Sequence, residues 1–76
     1  MSRKVGIFVE IFQERVRECR RKAGLTQQEA AEQMGMVFRT YRRYECGEAE
    51  PPLPALVKIA DFYGVSLDYL AGRSEG

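Results

Sequence analysis

Arg39, Arg42 and Arg43 are the side chains in this sequence whose type and spacing point most directly to chemistry. At about 100° per residue they share one face of a short helix, opposite Val37, Tyr41 and Tyr44, with Phe38 at the edge of the outer face. A guanidinium is a rigid planar fork of donors. It matches the O6 and N7 acceptors of guanine, and it can equally clamp phosphate oxygens. An exposed aromatic ring beside three such forks is a poor finish for a solvated surface and a suitable one for meeting a nucleic-acid duplex.

The elements that must hold this face in place are legible on either side of it. Within the stretch LTQQEAAEQMGMVFRTYRRYECG, Thr26 and Glu29 have capping-box spacing, so a helix starts at Gln27. Gln27, Ala30, Ala31 and Met34 then fall on one side, and the paired alanines allow a neighbouring helix to cross closely. Gly35 ends that helix, and a second short helix is expected over 37–44. Upstream, Phe8, Phe12, Val16, Cys19 and Ala23 make the apolar stripe of a helix over 8–23, stopped by Gly24. Downstream, a helix begins within the 51–54 proline cluster, carries Leu53, Leu56, Ile59, Ala60 and Tyr63 inward, and ends at Gly64. Ser66 caps a short last helix with Leu67 and Leu70, and Gly72 stops it. The expectation is one all-α domain of five helices over residues 7–72, between frayed tails at 1–6 and 73–76.

Two short helices across a tight glycine turn, the second bearing outward arginines, form a unit that places a helix in the DNA major groove. The chain resembles the Cro/cI-type helix-turn-helix regulators, the family of the lambdoid phage repressors. The resemblance runs from about Phe12 to Gly72, through RVRECRRKAGLTQQEAAEQMG, YECGEAEPP and LVKIADFYGVSLDYLAG. Its "LTQ" helix start, its "E-x-G" after the second helix, the proline, and "GVS-x-D-x-L" keep family order and spacing. It implies a lambda-repressor-like fold and sequence-specific binding of double-stranded DNA.

By that resemblance Gln27 contacts the DNA backbone or an adenine edge, the other reading being a good first-turn residue. Arg39 and Arg43 correspond to base-reading positions, though Arg42 and Arg43 suit phosphate as well. Phe38 packs on thymine methyls or serves as a staple for the helix start, and Val37 and Thr40 complete the expected DNA-facing set. The family also pairs the acid of "E-x-G" with a first-helix base, which implies a structural ion pair between Glu45 and Arg20. The loop after Gly47 and the start of the next helix would offer backbone N–H groups to phosphate. Three positions depart from the pattern. Val37 stands where Ser, Thr or Asp usually caps the recognition helix, Ala30 replaces a leucine, and Glu48 and Glu50 put acids in a loop that approaches DNA.

Charge is polarised along the chain although the net is only +1. Residues 15–44 carry eight basic and three acidic groups, a balance of +5, whereas residues 45–76 carry a balance of −4. One face can therefore attract phosphate. Arg15 and Arg17 fit either that role or a solvated helix face. There is no histidine, no nucleophile set and no phosphate-cradling glycine loop, so catalysis and a cofactor are not expected. Cys19 and Cys46 are too far apart for a metal site, and both are expected as free thiols in the cytoplasm, Cys19 as a small core residue. Gly6–Phe12 is the most apolar stretch, yet Glu10 interrupts it; no membrane span or signal peptide is expected.

The functional expectation is a homodimeric repressor. At 76 residues it has no room for a separate effector domain, as in a stand-alone repressor, a restriction–modification controller or an antitoxin-like autoregulator. The alternative is a helical protein-interaction module that has lost DNA binding. Leu67, Tyr69 and Leu70 are the expected dimer surface, with the Ile7-Phe8-Val9 segment second.

Overall fold

The computed structural model describes the backbone of residues 3–75 and the side chains of residues 9–75. It contains α1 (Arg3–Ala23), α2 (Gln27–Met34), α3 (Phe38–Glu45), α4 (Leu53–Tyr63) and α5 (Leu67–Ala71), and no strand among the described residues. The architecture is all-α and lambda-repressor-like. α1 begins five residues ahead of its apolar stripe, at Arg3; the Phe8 side chain lies outside the described residues, as do Met1, Ser2 and Gly76.

α1 is the spine, packing against α3, α4 and α5, while α2 packs on α3 and α4. Phe12 and Val16 of α1, one turn apart, are fully buried and meet Ala30, Ala31, Met34, Tyr41, Tyr44, Ile59, Ala60 and Leu70 in one core. To this core α2 contributes the small Ala30 and Ala31, and α3 the large Tyr41 and Tyr44.

Local signals set the boundaries. Thr26 Oγ1 accepts from the Glu29 amide at 3.1 Å, and the Thr26 amide donates to Glu29 Oε1 at 2.9 Å, closing the capping box. Gly35 takes the left-handed conformation (φ +73°) that lets Met36 N–H reach back to Ala31 C=O at 2.8 Å. That turn leads directly into α3, which packs against α2. Ser66 Oγ accepts from the Tyr69 amide at 3.0 Å to start α5.

Several side chains depart from the helical wheel. Val37 is 69% exposed rather than inward, because it is the extended N-cap of α3 and the helix begins one residue later. Leu53, the first residue of α4, is 64% exposed for a similar reason: the first turn projects past the core. Ala23 is exposed and Cys19 half-buried, so the α1 stripe leaves the core before the helix ends.

Leu70 requires a correction of another kind. It was expected on a dimer surface, yet it is wholly buried within the monomer, closing the core between α1 and α4. Tyr69 lies under Arg15, whose guanidinium carbon is 4.4 Å from the ring centroid, and only Leu67 of that trio is an exposed apolar side chain. Arg15 Nη1 also donates to the carbonyls of Tyr69 and Ser74, each at 2.6 Å, so the residues after α5 are tied back to α1.

Candidate nucleic-acid interface

α3 is fastened on one side and open on the other. Tyr41, Tyr44 and Glu45 are buried; Arg39, Arg42 and Arg43 are exposed; Phe38 is exposed at the helix start and Thr40 half-buried. Among the described residues no side-chain hydrogen bond or ion pair is formed by Arg39 or Arg42. Arg43 Nε lies 3.9 Å from Glu48 Oε1, both side chains being more than half exposed, an arrangement of little energetic weight.

The fastening is polar and buried. Glu45 has no solvent exposure. Arg20 meets it as a fork, Nε to Oε2 at 2.8 Å and Nη2 to Oε1 at 2.9 Å, while Arg20 Nη1 donates to the Leu25 carbonyl at 2.9 Å. Gln27 Nε2 donates to Glu45 Oε1 at 2.9 Å, and the Tyr41 hydroxyl is also bonded to the carboxylate. Burial alone would push the Glu45 carboxyl up, but the bonds from Arg20, Tyr41 and Gln27 outweigh it and hold the group below the ordinary carboxylate range. Burial, then the bonds to Glu45 and Tyr63, push the Tyr41 phenol far up, so it stays protonated. Tyr41 and Tyr63 join hydroxyl to hydroxyl at 2.7 Å. The cluster therefore connects the end of α1, the start of α2, the inner face of α3 and the end of α4.

Of the residues singled out in the sequence, the structure gathers Phe38, Arg39, Thr40, Arg42 and Arg43 on α3, with Val37 exposed just ahead of them. Gln27 is half-buried at the first position of α2, with its amide nitrogen committed to Glu45. The backbone groups expected from the following loop are largely used up. Glu48 N–H and Ala49 N–H both turn back to the Arg43 carbonyl, at 2.9 and 3.3 Å, and Pro51, Pro52 and Pro54 have no N–H to give. Arg15 serves the C-terminal end of the fold and does not stand free in solvent.

Sequence reasoning missed the Gln27–Glu45 bond, the Tyr41–Tyr63 pair and the Arg15–Tyr69 stack. The one available signal was a carboxylate on the buried side of a helix that also buries two tyrosines, which requires donors from somewhere.

Comparison with known proteins agrees with this geometry. Residues 16–70 match the family model described as helix-turn-helix. The chain belongs to the Cro/cI-type helix-turn-helix family. Among its relatives is YonR, an SPbeta prophage-derived uncharacterized HTH-type transcriptional regulator of Bacillus subtilis. It is 42% identical over 60 residues, covering 79% of this chain and 56% of that protein. The HTH-type transcriptional regulator ImmR of B. subtilis is 41% identical over 61 residues, 80% of this chain and 48% of ImmR. The cryptic phage CTXphi transcriptional repressor RstR of Vibrio cholerae is 39% identical over 62 residues, 82% of this chain and 55% of RstR. This helix-turn-helix chain thus spans about half the length of the curated relatives it matches. No solved structure matches it. No helix among the described residues is long and apolar enough to cross a membrane, and they contain no metal-binding cluster of acids and cysteines.

Proposed function

We propose that the chain is a sequence-specific double-stranded-DNA-binding transcriptional regulator, a homodimeric repressor that lays α3 in the major groove of each half-site. The observation that carries this reading is the outer face of α3, where Arg39 and Arg42 project into solvent without an internal partner while the opposite face is locked. A helix held rigidly from behind presents its forks at a fixed height and spacing, as base-edge recognition needs. Arg39 reads a base edge; Arg42 and Arg43 hold phosphate, or in the case of Arg43 a second base; Phe38 and Thr40 pack beside them. Val37 adds apolar contact only. Gln27, with one amide N–H given to Glu45, keeps its carbonyl oxygen as an acceptor suited to a donor on the DNA, such as an exocyclic amine. The names of ImmR and RstR, a regulator and a phage repressor, support the regulatory role.

Two copies are proposed because one small domain touches too few bases to single out a site in a genome. Leu67 contributes apolar surface at α5 for such pairing. The alternative, an interaction module without DNA binding, draws on the acids Glu48 and Glu50 exposed beside the arginine face.

Selection of bound duplexes from a random pool, followed by titration at several salt concentrations, tests the proposal. A steep loss of affinity with salt and paired half-sites about 10 base pairs apart are expected. Salt-insensitive or absent binding favours the alternative. Sedimentation of the free protein at micromolar concentration as a single-chain species, together with an unpaired short footprint, removes the dimer.

A further inference from the structure

Glu45 accepts hydrogen bonds from Arg20 of α1 and Gln27 of α2. Tyr41, one turn earlier on the inner face of α3, is joined hydroxyl to hydroxyl to Tyr63 of α4 at 2.7 Å. Two polar ties from other helices therefore reach the inner face of α3.

The rest of α3 has few directional restraints. Its N-cap is Val37, which makes no side-chain bond to the first turn. The apolar packing of Tyr41 and Tyr44 resists separation from the core but orients the helix weakly, because hydrophobic contact has no preferred angle. Hydrogen bonds have one. In the eight-residue α3, Glu45 fixes the last residue and the Tyr41 hydroxyl, bonded to Tyr63, fixes the middle. A small rotation of α3 about its axis would move the Tyr41 ring and swing Arg39, Arg42 and Arg43 on the opposite face.

We infer that Tyr63, on α4 and outside the helix-turn-helix unit, is a positioning residue: its hydroxyl, bonded to that of Tyr41, sets the rotation of α3 and hence where the three arginines point. The consequence for recognition rests on the DNA-binding reading; the placement of α3 does not. Tyr63 touches no DNA in this arrangement. Its influence passes through Tyr41.

Tyr63→Phe keeps the ring and removes only the hydroxyl. In amide spectra of the DNA-free protein, the variant should shift residues 38–45 and speed their hydrogen exchange, with little change in thermal midpoint. On the selected duplex it should lose roughly 3- to 30-fold in affinity, while binding to random duplex at the same salt stays unchanged. A second variant guards the result: adding Tyr63→Phe to Tyr41→Phe should bring no further loss. Shifts confined to α4 and α5, equal loss on both duplexes, an additive second loss, or a collapsed thermal midpoint would each overturn the inference. A wild-type protein that binds no duplex would refute the DNA-binding reading instead, and the spectra of the free protein would still decide the role of Tyr63.

Discussion

Arg20 and Glu45, 25 residues apart, meet edge to edge through two parallel bonds of 2.8 and 2.9 Å, with the carboxylate wholly enclosed. Geometry of this kind joins two helices that local sequence does not relate. It also raises the stakes of losing either partner, since a buried charge without its counterion is expensive.

Glu45→Ala leaves Arg20 largely buried and also orphans the donors of Gln27 and Tyr41. The variant should lose about 3 kcal/mol or more of folding stability. Chemical denaturation of the purified protein measures this, and a loss within about 0.5 kcal/mol of zero contradicts the arrangement.

Acid should act through the same carboxyl. Glu45 is held below its ordinary value of 4.5, so its contribution is present in full above that value and is lost as pH falls through the lower, folded-state value. With no histidine in the sequence, the thermal midpoint should be nearly flat between about pH 6 and 8. It should then drop on the acid side. Glu45→Gln should begin lower and drop less, so its curve and the wild-type curve converge at low pH. Parallel curves would assign the acid loss to other carboxylates.

Val37 caps α3 without a side-chain bond and is mostly exposed, so a polar replacement meets no packing penalty. Val37→Ser should stabilise the fold by about 1 kcal/mol by accepting an N–H from the first turn. The expected rise in melting temperature is about 4–8 °C for a domain of this size. An unchanged or lower melting temperature would mean that the first turn of α3 gains nothing from a cap.

Arg39→Ala should cost about 1–3 kcal/mol on the preferred site and relax preference at one base pair. Equal losses on preferred and random duplex would make Arg39 a phosphate contact.

Much of the skeleton was legible from residues alone. Thr26 with Glu29, the stops at Gly24, Gly35, Gly64 and Gly72, and the cap Ser66 act over one helical turn, so their signal is local and survives in sequence. Val37 and Leu53 misled because a wheel treats every residue as interior, while those two sit at helix starts that project beyond the core. Arg20 with Glu45 was legible only through family resemblance. The Tyr41–Tyr63 bond and the Arg15–Tyr69 stack join residues 22 and 54 positions apart, and no periodicity encodes such meetings. The candidate interface was the reverse case: its outward arginines are defined by what they do not touch, which a wheel conveys well.

The bonds from Arg15 to Tyr69 and Ser74 close a long circuit, 59 residues from Arg15 to Ser74. Loop closure of that length carries an entropic penalty that is offset only after both surfaces exist. The order of assembly follows from this. The α1–α2–α3 corner, stitched by shorter loops and by Glu45, is set to form early, and the α1–α5 seam is set to form last and part first. Native-state hydrogen exchange should therefore find α5 amides opening at lower free energy than those of α3, with Arg15→Ala widening the gap. Slower exchange in α5 than in α3 would reverse that order. On that order, opening of the domain begins where the chain ends, at the Arg15 clasp, and leaves the helix that carries the three arginines in place.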